Sequence, residues 1–148
     1  MYEVVDNFLD KEELESLESV LLSKQFPWFL NPQIDKESSY YVGRLQQQFS
    51  HTVYAKDYRK SDWLPDFNCL LNRMNIFTLL RIKVNYLPQT EKRVTHDFHV
   101  DIEGSNVPKN INTSIFYLNT NNGITIFEDT KEEVESVSNR MITFPGHL

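Results

Sequence analysis

Cysteine is almost absent: Cys69 is the one thiol in 148 residues. A single thiol excludes an intramolecular disulfide and any metal or cluster site built from several thiolates. A reducing, cytoplasmic setting fits that usage. No stretch approaches the roughly 18 consecutive apolar residues of a membrane span. The opening M-Y-E-V-V-D has neither the basic start nor the apolar middle of a secretory leader. Basic charge is also short, with 15 Lys and Arg against 21 Asp and Glu, a formal charge of −6. A phosphate backbone needs clustered cations, so nucleic acid is not an expected partner. Internal repeats and low-complexity tracts are missing as well. What the chain does have is apolar bulk. Hydrophobic residues make up 40%, including ten Phe, seven Tyr and two Trp. That is enough for one domain, residues 1–148, with a sizeable core.

Two helical patterns come early. Asp10 sits three residues before Glu13, a capping-box spacing. Leu14, Leu17 and Leu21 then follow at helical intervals, which predicts a helix over 11–23. Phe67, Leu70, Leu71 and Met74 repeat the pattern and predict a second helix over 62–75. Between them F-P-W-F-L-N-P (26–32) reads as a packed loop or edge strand, and residues 45–54 alternate as a strand carrying Leu45, Phe49 and Val53 with Gln47 and His51 on one face.

From residue 77 the pattern is that of strands. Residues 77–86 alternate Arg81, Lys83 and Asn85 against Leu80, Ile82, Val84 and Tyr86. Strands over 111–119 and 124–128 flank T-N-N-G, a hairpin signal because Asn-Gly tolerates positive φ. V-E-S-V and M-I-T-F flank S-N-R, a second expected turn. The fold class expected is α+β, mainly β: supporting helices packed on an antiparallel sandwich or jelly roll.

Chemistry concentrates in T-H-D-F-H-V-D-I-E-G (95–104). On an extended strand residues i and i+2 share a face, so His99 and Asp101 would project together and His96 oppositely. An imidazole and a carboxylate side by side are two neighbouring metal ligands. A second histidine from elsewhere would complete a two-histidine, one-carboxylate face that suits non-haem Fe(II). The tripeptide alone has a plain reading too, a strand-end His and Asp bonded to loop amides.

The neighbourhood adds to it. R-I-K-V-N-Y-L-P-Q-T, F-H-V-D, Y-L-N-T-N-N-G-I-T-I-F-E-D and V-E-S-V-S-N-R-M-I-T-F, in that order, resemble the Fe(II)- and 2-oxoglutarate-dependent oxygenases. The likeness is to short prolyl 4-hydroxylase-like members of the type often carried by phages, and it covers nearly the whole chain. It implies a double-stranded β-helix, a distorted jelly roll, with His99 and Asp101 as the first two iron ligands. It implies Fe(II) and 2-oxoglutarate as cofactors and ascorbate as supporting reductant. The reaction implied is hydroxylation of an unactivated C–H bond, with peptidyl proline as the suggested substrate. Near the motif, Asn85 and Tyr86 are candidates to touch 2-oxoglutarate, or else pack and cap a turn. Thr125, in a segment resembling the family's G-x-T-x-F, points beside the co-substrate or is a plain cross-strand threonine.

The resemblance also implies a second histidine six positions past Phe144 and a basic residue about a strand later. His147 is three past Phe144, an odd offset that faces a strand's other side. The expectation is therefore a chain truncated before its last strand or strands, with activity in doubt. The rivals are a non-catalytic jelly-roll binding or structural module that lost the iron site, and a cupin-like metalloenzyme, for which His96 is the only additional histidine nearby.

Overall fold

The computed structural model describes residues 1–31, 47–56, 59–102, 108 and 110–146. Leu45, Glu103 and His147 lie outside the described residues. The fold is mixed α/β and mainly β, with antiparallel sheets and two short helices. It divides into two compact units, residues 1–10 with 97–148, and residues 11–96.

The first unit is built on one long ribbon. Its strands are β1 (Glu3–Val5) and, numbered in chain order, β6 (Asn112–Tyr117), β7 (Ile124–Ile126), β8 (Glu133–Glu135) and β9 (Arg140–Pro145). β6 pairs with β9 from Asn112↔Pro145 to Tyr117↔Arg140, and β7 with β8 from Ile124↔Glu135 to Ile126↔Glu133. This overturns the hairpin expected at T-N-N-G, because β6 does not pair β7; the strands either side of S-N-R, β8 and β9, do not pair with each other either. The true reversal is at 127–132, where Phe127 N–H donates to Glu132 O (3.1 Å) and Lys131 adopts φ 56°.

T-N-N-G bends the ribbon without closing a hairpin, while S-N-R makes its expected turn, Arg140 N–H donating to Val137 O (3.2 Å), without pairing β8 to β9. Six residues (118–123) oppose four (136–139) there. Side chains replace the broken ladder. Ser138 Oγ donates to Leu118 O (2.9 Å), Ser138 N–H to Thr120 Oγ1 (2.9 Å), and Ser136 Oγ to Asn119 O (3.2 Å). Short polar side chains that compete for backbone groups are what such a bend requires. The ribbon's outer half joins the three-stranded sheet β1-β9-β6, and its inner half is the β7-β8 pair. Phe127, Val134, Ile142 and Phe144 form the core between these strands, with Tyr2, Ile115 and Tyr117 packed on it. Tyr2 stacks on Phe127 at 4.6 Å and Phe127 meets Phe144 edge-on at 5.1 Å.

Asn139 fixes this unit's N-terminal segment. It sits at φ 62°, a left-handed conformation that asparagine tolerates better than most residues. Its Oδ1 accepts from Leu9 N–H and its Nδ2 donates to Leu9 O, both at 2.8 Å. Its own backbone N–H donates to Tyr117 O (2.8 Å), and its carbonyl accepts from Phe8 N–H (3.0 Å). Next to it, Arg140 binds Asp6 through both ends of the guanidinium, at 2.6 and 3.0 Å. That pairing holds the Asp6 carboxyl below its ordinary value.

The second unit holds α1 (Lys11–Leu21), β2 (Phe29–Asn31), β3 (Gln48–Ala55), β4 (Arg59–Lys60), α2 (Asn68–Arg73) and β5 (Arg81–Tyr86). β3 is central, paired with β2, β4 and β5. α1 begins immediately after Asp10 and buries Leu17 and Leu21. The helix expected over 62–75 is shorter. A 3-10 turn, Leu64–Phe67, with Pro65 in its first turn, precedes α2. The strand expected over 77–86 begins only at Arg81, and Phe77 is fully exposed. β3 carries an irregularity between Thr52 and Tyr54, where the carbonyl of fully buried Val53 accepts from Ser61 N–H (2.8 Å).

Two consequences are measurable. Asn139→Ala strands the buried Leu9 backbone groups and strains φ, so it should cost about 3 kcal/mol in urea unfolding. Asn139→Gly, which keeps φ relaxed, should cost less. Asp6 has a lower value folded than unfolded. Its contribution is therefore full above the ordinary carboxylate range and disappears as pH falls through the lowered value. The stability gap between wild type and Asp6→Asn should close across that acid window, and a gap constant with pH would contradict it.

Candidate functional site

Residues 95–102 belong to no strand. The regular alternation expected there is not what holds His99 and Asp101. The segment instead follows an irregular path after β5, and both side chains are exposed. Lys131 Nζ lies 4.7 Å above the Phe98 ring, which ties the segment to the ribbon's tip. A cation over an aromatic face at that distance is attractive, though modestly at an exposed site.

The His99 ring has a defined orientation. Its Nδ1 lies 3.1 Å from Asp97 O. A carbonyl only accepts, so Nδ1 carries the proton of that bond. In the neutral ring the lone pair is then on Nε2, pointing away from the backbone. A backbone carbonyl holding one nitrogen so that the other can bind metal is a recurrent arrangement around metal-ligating histidines. His96 differs: it is half-buried, and its Nδ1 is shielded from solvent with no hydrogen-bond partner among the described residues.

The donor set tests the fit to iron. His99 Nε2 and the Asp101 carboxylate are the right donor types for Fe(II), a nitrogen and a hard oxygen. The described residues contain no group of three or more His, Cys, Asp or Glu side chains placed to hold one metal ion.

The expected co-substrate residues occupy different units. Asn85 and Tyr86 end β5 in the second unit and are exposed. Asn85 lies opposite Ser50, and the Tyr86 ring packs at 5.9 Å from Trp28 and 6.1 Å from Phe49. Thr125 is on β7 in the first unit, where its hydroxyl is 2.6 Å from the Tyr117 hydroxyl. Burial pushes the Tyr117 phenol above its ordinary value, against the opposing pull of the Thr125 bond and of Arg140.

His51 is a polar centre that periodicity placed on a strand face without identifying its partners. It is buried on β3. Nδ1 donates to Pro27 O (2.8 Å), which leaves Nε2 to accept from Ser61 Oγ (3.0 Å). Phe26 at 5.0 Å and Phe29 at 5.6 Å wall the ring. Ser61 Oγ in turn accepts from Trp63 N–H (3.3 Å). The ring thus fastens the 26–29 segment and the 61–63 turn onto β3. The clue was available: a histidine on a strand's apolar face, with F-P-W-F nearby to enclose it. Cys69 is half-buried, and that burial raises its thiol above the ordinary value.

No family model matches the chain, and no curated protein or solved structure matches it. Among the described residues no helix is long and apolar enough to cross a membrane.

Replacing His51 by Phe keeps the aromatic bulk but leaves Pro27 O and Ser61 Oγ without their partner. A loss of about 2–3 kcal/mol is expected in thermal or urea unfolding, with the fluorescence of Trp28 and Trp63 reporting the loosened segments.

Proposed function

We propose that this chain carries an Fe(II)- and 2-oxoglutarate-dependent dioxygenase domain on a double-stranded β-helix scaffold. The reaction is hydroxylation of an unactivated C–H bond, with peptidyl proline as the substrate class that the subgroup resemblance favours. The observation that carries the proposal is the folded ribbon. β6 and β9 pair in one sheet and β7 and β8 in another, around a shared apolar core. A jelly roll is made by folding such an antiparallel ribbon over, so that its two halves join different sheets. The F-H-V-D segment lies before the first strand of this ribbon, in the order the resemblance calls for.

In this reading His99 binds through Nε2, with Asp97 O holding the opposite edge of the ring, and Asp101 supplies the carboxylate. A ferrous ion with 2-oxoglutarate supplies the oxidising chemistry when bound. The chain's own part is to hold that pair of donors, to orient the co-substrate, with Thr125 the candidate in the same unit, and to admit a peptide. A second reading has its own support. His99 and Asp101 are both exposed, and the described residues assemble no third donor beside them. A jelly-roll module that binds or supports without iron chemistry is consistent with that.

Anaerobic titration with Fe(II), followed by 2-oxoglutarate decarboxylation with ascorbate present, separates the two readings. The oxygenase reading expects saturable iron binding, weakened about tenfold or more by His99→Ala or Asp101→Ala, and decarboxylation that stops in both variants. Iron uptake that is negligible, or indifferent to both substitutions, favours the non-catalytic module.

A further inference from the structure

We propose that Asn122 is a modification site, where the side-chain amide converts without an enzyme to a carboxyl through a cyclic imide with Gly123, at a rate set by Asn121. Asn122 is exposed, at the corner where the ribbon passes from one sheet to the other. Ring closure requires the backbone nitrogen of the following residue to reach Cγ of the asparagine. Glycine is the residue that least obstructs that approach, because it has no side chain and ranges over most of φ/ψ space.

The balance is simple. The Gly123 nitrogen bonds to Asn122 Cγ and gives up its proton, the Cγ–NH2 bond breaks, and ammonia leaves. Water then opens the imide at one of its two carbonyls. One product is an ordinary aspartate. The other is an isoaspartyl linkage, in which the main chain runs through the former side chain and is one atom longer. No oxidant, reductant or cofactor takes part.

The local structure restrains this step. Gly123 N–H donates to Asn121 Oδ1 at 2.7 Å, the side-chain turn in which an asparagine takes the amide two residues on. A Cβ built on Gly123 would lie 2.7 Å from that oxygen, so Asn121 is seated against the glycine where a larger residue would displace it. Asn121 is itself fastened to the facing strand. Its backbone N–H donates to Ser136 O (3.2 Å) and its Nδ2 to Ser136 Oγ (3.0 Å), while Gly123 O accepts from Ser136 N–H (3.1 Å). The attacking amide is therefore tied at both of its neighbouring groups. An isoaspartyl linkage would lengthen the already longer side of the corner and pull Gly123 off Ser136.

The test is incubation of the full chain in mildly alkaline buffer, with peptide mapping by mass spectrometry that resolves aspartyl from isoaspartyl products. Conversion is expected at Asn122, and none at that position in Asn122→Gln. Asn121→Ala, which frees the Gly123 amide, should convert about two- to tenfold faster, the factor carried by one lost hydrogen bond. Asn121→Asp keeps an oxygen acceptor and should stay near the wild-type rate. That comparison also guards against an alanine variant that accelerates only by unfolding. Equal rates in wild type and Asn121→Ala, an Asn121→Asp rate as fast as alanine, or no conversion at Asn122 would each overturn the proposal.

Discussion

The first unit depends on a single asparagine side chain making a two-point backbone bond. Leu9 is buried and at the end of a segment with only one three-residue strand, so its peptide groups have no ladder to join. Asn139 imitates a strand for it, presenting one acceptor and one donor at matched distance. The orientation of the amide is not arbitrary, because an N–H only donates and a carbonyl only accepts. The same residue's backbone is bonded to Tyr117 and Phe8. Four hydrogen bonds thus converge where β8 gives way to β9, and they join the chain's beginning to the corner of the ribbon. The Asp6–Arg140 pair adds orientation beside it but little energy, since Asp6 is largely in water.

Much of this fold was legible because its elements follow simple periods. The leucines of α1 and the strand-forming runs of β6 and β9 are local patterns that marked elements close to those observed, and the alternation over 77–86 marked β5 but overran its start at Arg81. The pairing was not legible. Asn-Gly between two apolar runs is the usual mark of a tight hairpin, yet here those residues bend a ribbon whose partner strand lies beyond the next reversal. The competing preference was side-chain bonding by Ser136, Ser138, Thr120 and Asn121, which stabilises a corner as readily as a turn. Which of the two forms depends on partners many residues away, and no short window contains that information. α2 was over-extended for a local reason, Pro65, whose ring favours the first turn of a helix and not its interior.

The candidate site was legible in residue type but not in setting. Donor chemistry alone singles out His99 and Asp101. A strand would have been needed to fix their common face, and 95–102 is not one. What takes over part of that role is a carbonyl two residues back, which sets which edge of the His99 ring is available. His51 shows the opposite outcome for the same residue type. Both rings donate Nδ1–H to a backbone carbonyl, but His51 spends its second nitrogen on Ser61 inside an aromatic enclosure, whereas His99 is exposed. Burial and the partner at Nε2 separate the two rings, and neither can be read from the amino acid's name.

The central place of β9 bears on how the chain is made. β1 leaves the ribosome well before its hydrogen-bonding partner, which is synthesised more than a hundred residues later. The loop this contact closes is more than a hundred residues long, the kind of non-local pairing that slows folding. Among the described residues, the strand partners of β2, β3, β4 and β5 all fall within 11–96, so that sheet's ladder can close while β1 still waits. Val4 and Val5 are then temporarily unpaired β-formers on a nascent chain, and the acidic neighbours Glu3 and Asp6 give that segment the charge that discourages strand-to-strand sticking in the interval.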